Sequence, residues 1–143
     1  MPIVNFHLVG LRTSPEQDEL LLKEASKLYC EVLRAPIERV RAFITAHPAE
    51  QFAVSGDLVS NNGLHAPFFD FIVLEGRPVE DRHRLMAGFT DLLVDILGVR
   101  RDLVRGCCRR VEPQDWSIGG VPASVLRSDE IAEREKAATL SKS

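Results

Sequence analysis

Two stretches of the chain, PIVNFHLVGLR (2–12) and PFFDFIVLEGR (67–77), share one pattern of a proline, an apolar run, a glycine and an arginine. The similarity continues downstream, because the apolar positions of residues 21–33 recur at a constant spacing in residues 85–97. These positions follow helical periodicity, so each copy predicts an amphipathic helix after an apolar strand. Further pairs in the same register are Val40-Arg41 with Val104-Arg105, Phe52 with Trp116, and Gly56 with Gly120. The chain is therefore an internal duplication.

Each copy predicts a β-α-β unit that ends in a short hairpin. The first strands are predicted at 3–9 and 68–74, and the later strands at 40–46 and 103–111. Ser14-Pro15-Glu16-Gln17 has the residues of a helix start, and Gly98 suits a left-handed helix end. Because parallel crossovers are right-handed, two units predict an α/β (α+β) fold, a four-stranded mixed sheet with both helices on one face.

The domain organisation follows from the repeat. We expect one compact, pseudo-symmetric domain formed by a first unit at 1–63 and a second at 64–126. A C-terminal tail at 127–143 has little apolar periodicity, which predicts a solvated helix or a frayed tail; wrapping around a neighbouring subunit is the alternative. With both helices on one side, the other face of the sheet is bare, and we expect it to be covered by association with further copies.

Composition limits the function classes. The chain has 143 residues and a net charge of −3, which argues against a nucleic-acid partner despite the arginines of its second half. It lacks an apolar run of membrane-spanning length and the pattern of a signal peptide, so we expect a cytoplasmic protein without a membrane partner. The three cysteines and four histidines show no metal-ligand spacing, so no metal site is predicted.

Pro2 is the candidate catalytic group. If Met1 is removed, Pro2 carries a free secondary amine, and burial together with nearby guanidinium groups favours the neutral, basic form of such an amine. A neutral amine can act as a general base toward a proton alpha to a carbonyl. Pro67 has the same place in the second unit, but its nitrogen is in a peptide bond and cannot exchange a proton.

These features resemble the tautomerase superfamily built from 4-oxalocrotonate tautomerase-type β-α-β units. The resemblance covers Pro2 to Ser124, and its most specific segments are LEGR (74–77) and QDWSIGG (114–120). Two units are fused here, as in malonate semialdehyde decarboxylase and cis-3-chloroacrylic acid dehalogenase. The resemblance implies a homotrimer with one catalytic proline per chain.

The resemblance also implies roles for individual residues. Pro2 is the implied catalytic residue, and Phe52 and Trp116 are implied apolar walls of the pocket. The implied substrate-binding residues are the arginines that follow the strands of both units: Arg12, Arg41, Arg77 and Arg105. Such arginines hold a small carboxylate substrate and stabilise the enolate that develops during proton transfer.

Three functions compete. The preferred one is a keto-enol tautomerase or isomerase acting on a small 2-oxo or 2-hydroxy-enoic acid, which needs the amine, a carboxylate clamp and a dry pocket but no cofactor. The second is a lyase, either a 3-oxo acid decarboxylase or a hydratase or dehalogenase of an unsaturated acid. QDWSIGG favours the decarboxylase, whereas hydration needs a water-activating carboxylate, for which Asp115 and Glu38 are the candidates. The third is a non-enzymatic structural trimer.

Overall fold

The first half of the chain forms a β-α-β unit in the computed structural model, which describes residues 2–10 and 13–141. Its elements are β1 (Ile3–Val9), α1 (Pro15–Leu33), β2 (Arg41–His47), a hairpin of β3 (Ala53–Val54) and β4 (Asp57–Leu58), and the short helix α2 (Val59–Asn62). The predicted capping box is present, since Ser14 Oγ accepts from the Gln17 amide at 3.1 Å and Gln17 Oε1 accepts from the Ser14 amide at 3.0 Å.

The second half repeats this arrangement. Its elements are β5 (Phe68–Leu74), α3 (Val79–Leu97), β6 (Arg105–Val111), a hairpin of β7 (Ser117–Ile118) and β8 (Val121–Pro122), and the short helix α4 (Ala123–Leu126). Helix α3 ends at Gly98, whose φ of 69° is the predicted left-handed cap. The later strand of each unit starts further along the chain than predicted, because short 3₁₀ turns at Ile37–Arg39 and Arg101–Leu103 precede β2 and β6.

The main sheet has the strand order β2-β1-β5-β6 in the described part of the chain. Strands β1 and β2 are parallel, as are β5 and β6, whereas β1 and β5 run antiparallel with Ile3 opposite Ile72. Helices α1 and α3 pack against each other and cover one face of this sheet. The predicted four-stranded mixed sheet with two helices on one face is confirmed.

The core lies between the helices and the central strands. Its largest fully buried side chains are aromatic: Phe6, Tyr29, Phe69, Phe71 and Phe89. The Tyr29 hydroxyl contacts two backbone carbonyl oxygens, those of Ile3 at 2.9 Å and Ile72 at 3.0 Å. Helix α1 is thereby tied to both central strands at the end of the sheet where β1 begins.

The opposite face of the sheet is partly polar. Thr45 Oγ1 donates a hydrogen bond to Asn5 Oδ1 at 2.9 Å, and Arg109 forms an ion pair with Asp70 at 3.4 Å. Phe43 lies among these groups on the same face and is 46% exposed. A face with one exposed aromatic ring and paired polar groups has the mixed apolar and polar character of a protein–protein interface.

A fifth helix, α5 (Ser128–Ser141), follows α4 at the C-terminus. Most of its described side chains are exposed, but Glu130, Ile131 and Arg134 are half-buried. Among the described residues, every helix is too short or too polar to span a lipid bilayer.

Gly106 is a position where the core leaves no space for a side chain. The Phe69 ring, itself 1% exposed, occupies the volume that a Cβ of Gly106 would need. We expect Gly106→Ala to lower the free energy of unfolding by about 1–3 kcal/mol through overpacking, measured by urea denaturation. Cys107→Ala, a change at the next and exposed position of β6, is the control. Equal stability of the two variants would contradict this packing.

Candidate active site

The start of β1 and the end of β5 lie together because these strands pair antiparallel. Pro2, which is buried, therefore lies beside Ile72 rather than beside its counterpart Pro67. The Pro2 carbonyl accepts a hydrogen bond from the Arg41 amide at 2.9 Å, which fixes the chain just before β1. The N-terminal end of the first unit thus meets the residues that follow the first strand of the second unit.

A small cavity adjoins Pro2 at this end of the sheet. Its volume is about 20 Å³, which is room for about one water molecule. Leu33, Ala35 and the end of β5 form its apolar wall, and three guanidinium groups are among its lining. The described residues around it are Pro2, Leu33, Ala35, Arg39, Ile72, Val73, Leu74, Arg77 and Arg134. We call this space the Pro2 cavity.

Arg77 is held in the Pro2 cavity by the end of α1. Its Nη1 donates a hydrogen bond of 2.8 Å to the Leu33 carbonyl. Burial, followed by repulsion from Arg134, lowers the pKa of Arg77 to about 10. Arg77 therefore remains a cation at neutral pH, and an anion bound in the cavity would offset the unfavourable burial of its charge.

Arg39 is fixed by a carboxylate from α5. Its Nη1 and Nη2 donate to Glu130 Oε2 and Oε1 at 3.0 and 2.9 Å, which is the parallel two-bond geometry of a guanidinium and a carboxylate. The hydrogen-bonded pair raises the pKa of Arg39 and lowers the pKa of Glu130. Both groups are consequently charged at neutral pH.

A larger cavity of about 550 Å³ lies next to the Pro2 cavity and shares Arg39 with it. Arg41 and Trp116 belong to this space, together with Arg127 from the end of α4. The described residues that line it are Ile3, Pro36, Glu38, Arg39, Arg41, Trp116, Ser117, Ile118, Gly119 and Arg127. We call it the Trp116 cavity.

The residues proposed from sequence fall at two ends of the sheet. Arg77 shares the Pro2 cavity, while Arg41 and Trp116 line the Trp116 cavity beside it. Arg105 lies at the opposite end, where its amide donates to the Pro67 carbonyl at 3.1 Å. Phe52 lies at that far end as well, with its ring centroid 5.7 Å from that of His47. Arg12 lies outside the described residues.

Three residues near Pro2 were missed from the sequence: Arg39, Glu130 and Arg134. Arg39 lies in the 3₁₀ turn before β2. The matching position of the second unit is Leu103, so the duplication does not single out an arginine here. Glu130 and Arg134 are four residues apart, a spacing that places both on one face of a helix. The spacing does not indicate where that helix packs, so it could not assign them to the site.

Among the described residues, no three side chains of histidine, cysteine, aspartate or glutamate form a group that could hold a metal ion. The sheet does bring His7 and His47 together, with Nδ1 and Nε2 separated by 2.8 Å. This pair lies at the end of the sheet far from Pro2, so it takes no part in the Pro2 cavity.

The two halves of the chain both match one protein-family model, described as "Tautomerase enzyme", at residues 2–62 and 67–125. The chain belongs to the tautomerase family. It is 42% identical over 60 residues to a 2-hydroxymuconate tautomerase of Pseudomonas putida, a match that covers 42% of this chain and 94% of that protein. It is 31% identical over 61 residues to a probable tautomerase of Ralstonia nicotianae, covering 43% of this chain and 87% of that protein.

Solved structures of fused tautomerases have the same fold. A native fused 4-OT superposes with a TM-score of 0.79 at 22% identity and covers 87% of this chain and 98% of its own. A fused 4-OT described as a symmetric trimer gives a TM-score of 0.78 at 23% identity, with the same coverage of both chains. The resemblance to fused two-unit tautomerases noted from sequence is thereby confirmed. Helix α5 follows the last residue that the family model matches.

The buried charge of Arg77 predicts a pH dependence of stability. The folded chain releases the Arg77 proton near pH 10, below the ordinary pKa at which a guanidinium of the unfolded chain releases its proton. Between these values the unfolded state binds more protons, so Arg77 contributes more to stability as the pH rises. From about pH 8 to about pH 11, the wild-type chain should therefore gain free energy of unfolding relative to Arg77→Gln.

Urea denaturation across this pH range measures the difference. Arg84→Gln, which removes an exposed arginine of α3, is the matched control and should show a constant difference from wild type. A constant difference for Arg77→Gln as well would contradict the buried charge.

Proposed function

We propose that the protein is a cofactor-independent tautomerase that uses the Pro2 amine to move a proton within a small 2-oxo or 2-hydroxy-enoic carboxylic acid. One observation carries the proposal: Pro2 and Arg77, which come from different units, line the same cavity. A potential base and a cation for the substrate carboxylate are thus adjacent. The relatives named 2-hydroxymuconate tautomerase support this chemistry.

The proposed reaction begins once Met1 has been removed. The neutral Pro2 nitrogen takes the proton of the 2-hydroxyl group, the electrons of the broken O–H bond form the C=O π bond, and the electrons of the former C=C double bond move to its other carbon. The same nitrogen then returns a proton to that carbon, so no atom or electron is gained or lost. Arg77 binds the carboxylate and stabilises the negative charge that develops on oxygen.

The surroundings of Pro2 support a neutral amine. Burial of Pro2 and the guanidinium groups of Arg39, Arg77 and Arg134 disfavour a second positive charge in the Pro2 cavity. Leu33, Val73 and Leu74 keep the space largely free of water, which strengthens the interaction between a substrate anion and the arginines.

A second candidate is a lyase of the same superfamily, and one observation favours it. Glu38 lines the Trp116 cavity, so a carboxylate capable of activating water lies near the tryptophan of the QDWSIGG segment. In that reaction a protonated Pro2 would act as an acid toward an unsaturated or 3-oxo acid. The state of the Pro2 amine distinguishes the two candidates.

We further propose that the protein assembles as a homotrimer through the open face of the sheet. The exposed Phe43 ring and the paired polar groups beside it give that face the mixed character of an interface. Structural neighbours described as fused 4-OT trimers support this assembly.

The second unit supplies the control for testing the proposed function, because Pro67 is the counterpart of Pro2. Pro2→Ala should lower kcat/KM for 2-hydroxymuconate by about 10²-fold or more, since a positioned proton-transfer group contributes about that much. Pro67→Ala alters the equivalent buried proline without touching a free amine and should leave kcat/KM nearly unchanged. An uncleaved N-terminal extension, which turns Pro2 into an amide but keeps every side chain, should match Pro2→Ala.

Stopped-flow absorbance and intact mass of each variant provide the readout. Full activity in Pro2→Ala or in the extended chain would overturn the proline mechanism.

A further inference from the structure

Helix α5 lies outside the part of the chain that the family model matches, yet it contacts the candidate active site. The matched residues end at 125, and α5 begins at Ser128. Arg134, two turns into α5, lines the Pro2 cavity together with Arg77. The helix therefore adds a cation to a site that the two β-α-β units otherwise build.

Arg134 has a position in which a bound anion would stabilise it. Its side chain is 24% exposed, and its Nη2 lies 3.8 Å from Glu130 Oε2, which is too long for a hydrogen bond. Burial lowers the pKa of Arg134; attraction to Glu130 offsets part of this shift, and repulsion from Arg39 adds to it. Arg77 in the same cavity repels it as well. A carboxylate between Arg77 and Arg134 would relieve this repulsion.

Glu130 holds the beginning of α5 against the body of the protein. Both of its carboxylate oxygens accept hydrogen bonds from Arg39, at 3.0 and 2.9 Å. Beyond Arg134 the described side chains of α5, residues 135–140, are exposed. The Arg39–Glu130 pair is thus a main attachment of a helix with little apolar contact, and it sets where Arg134 lies.

The geometry points to Arg134 as a substrate-binding residue that grips the substrate carboxylate together with Arg77, with Glu130 acting as the positioning residue that holds α5 through Arg39. This assignment rests on the proposed function, because it places the carboxylate beside Pro2. It extends the site to a helix that the duplication does not supply.

The Pro2 cavity is smaller than the proposed substrate. The space of about 20 Å³ accepts a water molecule but not a carboxylic acid. The apolar wall belongs to the packed ends of α1 and β5, whereas α5 is mostly exposed. Of the elements that line the cavity, α5 is therefore the one whose displacement would disturb the least packing.

The primary test compares Arg134→Gln with Lys136→Gln, which removes an exposed cation from the same helix. Phenylpyruvate and its methyl ester serve as charged and neutral probes. Arg134→Gln should raise KM for the acid roughly tenfold or more, the worth of a charge-assisted hydrogen bond, with little change in kcat. Its KM for the ester should stay near the wild-type value, and Lys136→Gln should leave both unchanged.

Two outcomes would overturn the role of Arg134. One is an unchanged KM for the acid. The other is an equal rise in KM for acid and ester, which would indicate a loss of structure rather than of an anion contact. Calorimetric titration of phenylpyruvate into Pro2→Ala, with and without Arg134→Gln, separates the role of Arg134 from the proposed role of Pro2. Weaker binding upon loss of Arg134 supports its role in substrate binding even if Pro2 proves dispensable. Equal binding by the two variants refutes that role.

A double-mutant cycle tests the positioning role of Glu130. Glu130→Gln should raise KM for phenylpyruvate severalfold in the wild-type background and have almost no effect in the Arg134→Gln background, because its influence passes through Arg134. Glu133→Gln, at an exposed position of α5, is the control. A similar rise in both backgrounds, or a fall in KM upon Glu130→Gln, would refute positioning by this ion pair.

Discussion

The antiparallel pairing of β1 with β5 brings Pro2 and Arg77 together, and the candidate active site depends on this pairing. In the second unit, Pro67 and Arg77 lie before and after β5, at opposite ends of that strand. Pairing Ile3 with Ile72 reverses one unit against the other and places Pro2 beside Arg77. Tyr29 secures the junction, because its hydroxyl contacts the carbonyl oxygens of both isoleucines.

This arrangement makes the two ends of the sheet chemically different although the chain is duplicated. At one end Pro2, Arg77 and Arg134 surround a small cavity; at the other end Pro67 occupies the equivalent place with an amide nitrogen. Concentrating guanidinium groups beside a buried amine disfavours the protonated amine and favours an anionic ligand. Glu130 of the C-terminal helix α5 neutralises part of that positive charge through its hydrogen bonds with Arg39. The net charge around the cavity therefore depends on α5 as well.

The sequence was sufficient to predict the mixed sheet and both long helices, because strand and helix periodicities recur in two copies. The family resemblance named Arg77 as one of four candidate arginines, and the antiparallel pairing of β1 with β5 is what places it beside Pro2. Arg105 and Phe52 belong to the far end of the sheet, a separation that residue spacing within one unit does not reveal. The position of α5 escaped prediction for a different reason: its contact depends on the Arg39–Glu130 ion pair rather than on an apolar stripe, and charged residues do not indicate their partners.

We propose that Pro2 carries a free, largely neutral amine inside an arginine-lined cavity. NMR titration of the proline nitrogen in ¹⁵N-proline-labelled protein reports the state of this amine. We expect one titrating proline nitrogen, that of Pro2, with a midpoint below the value of about 8 expected for an ordinary α-amino group. A Pro2 nitrogen that does not titrate, or that titrates near pH 9 or above, would contradict it.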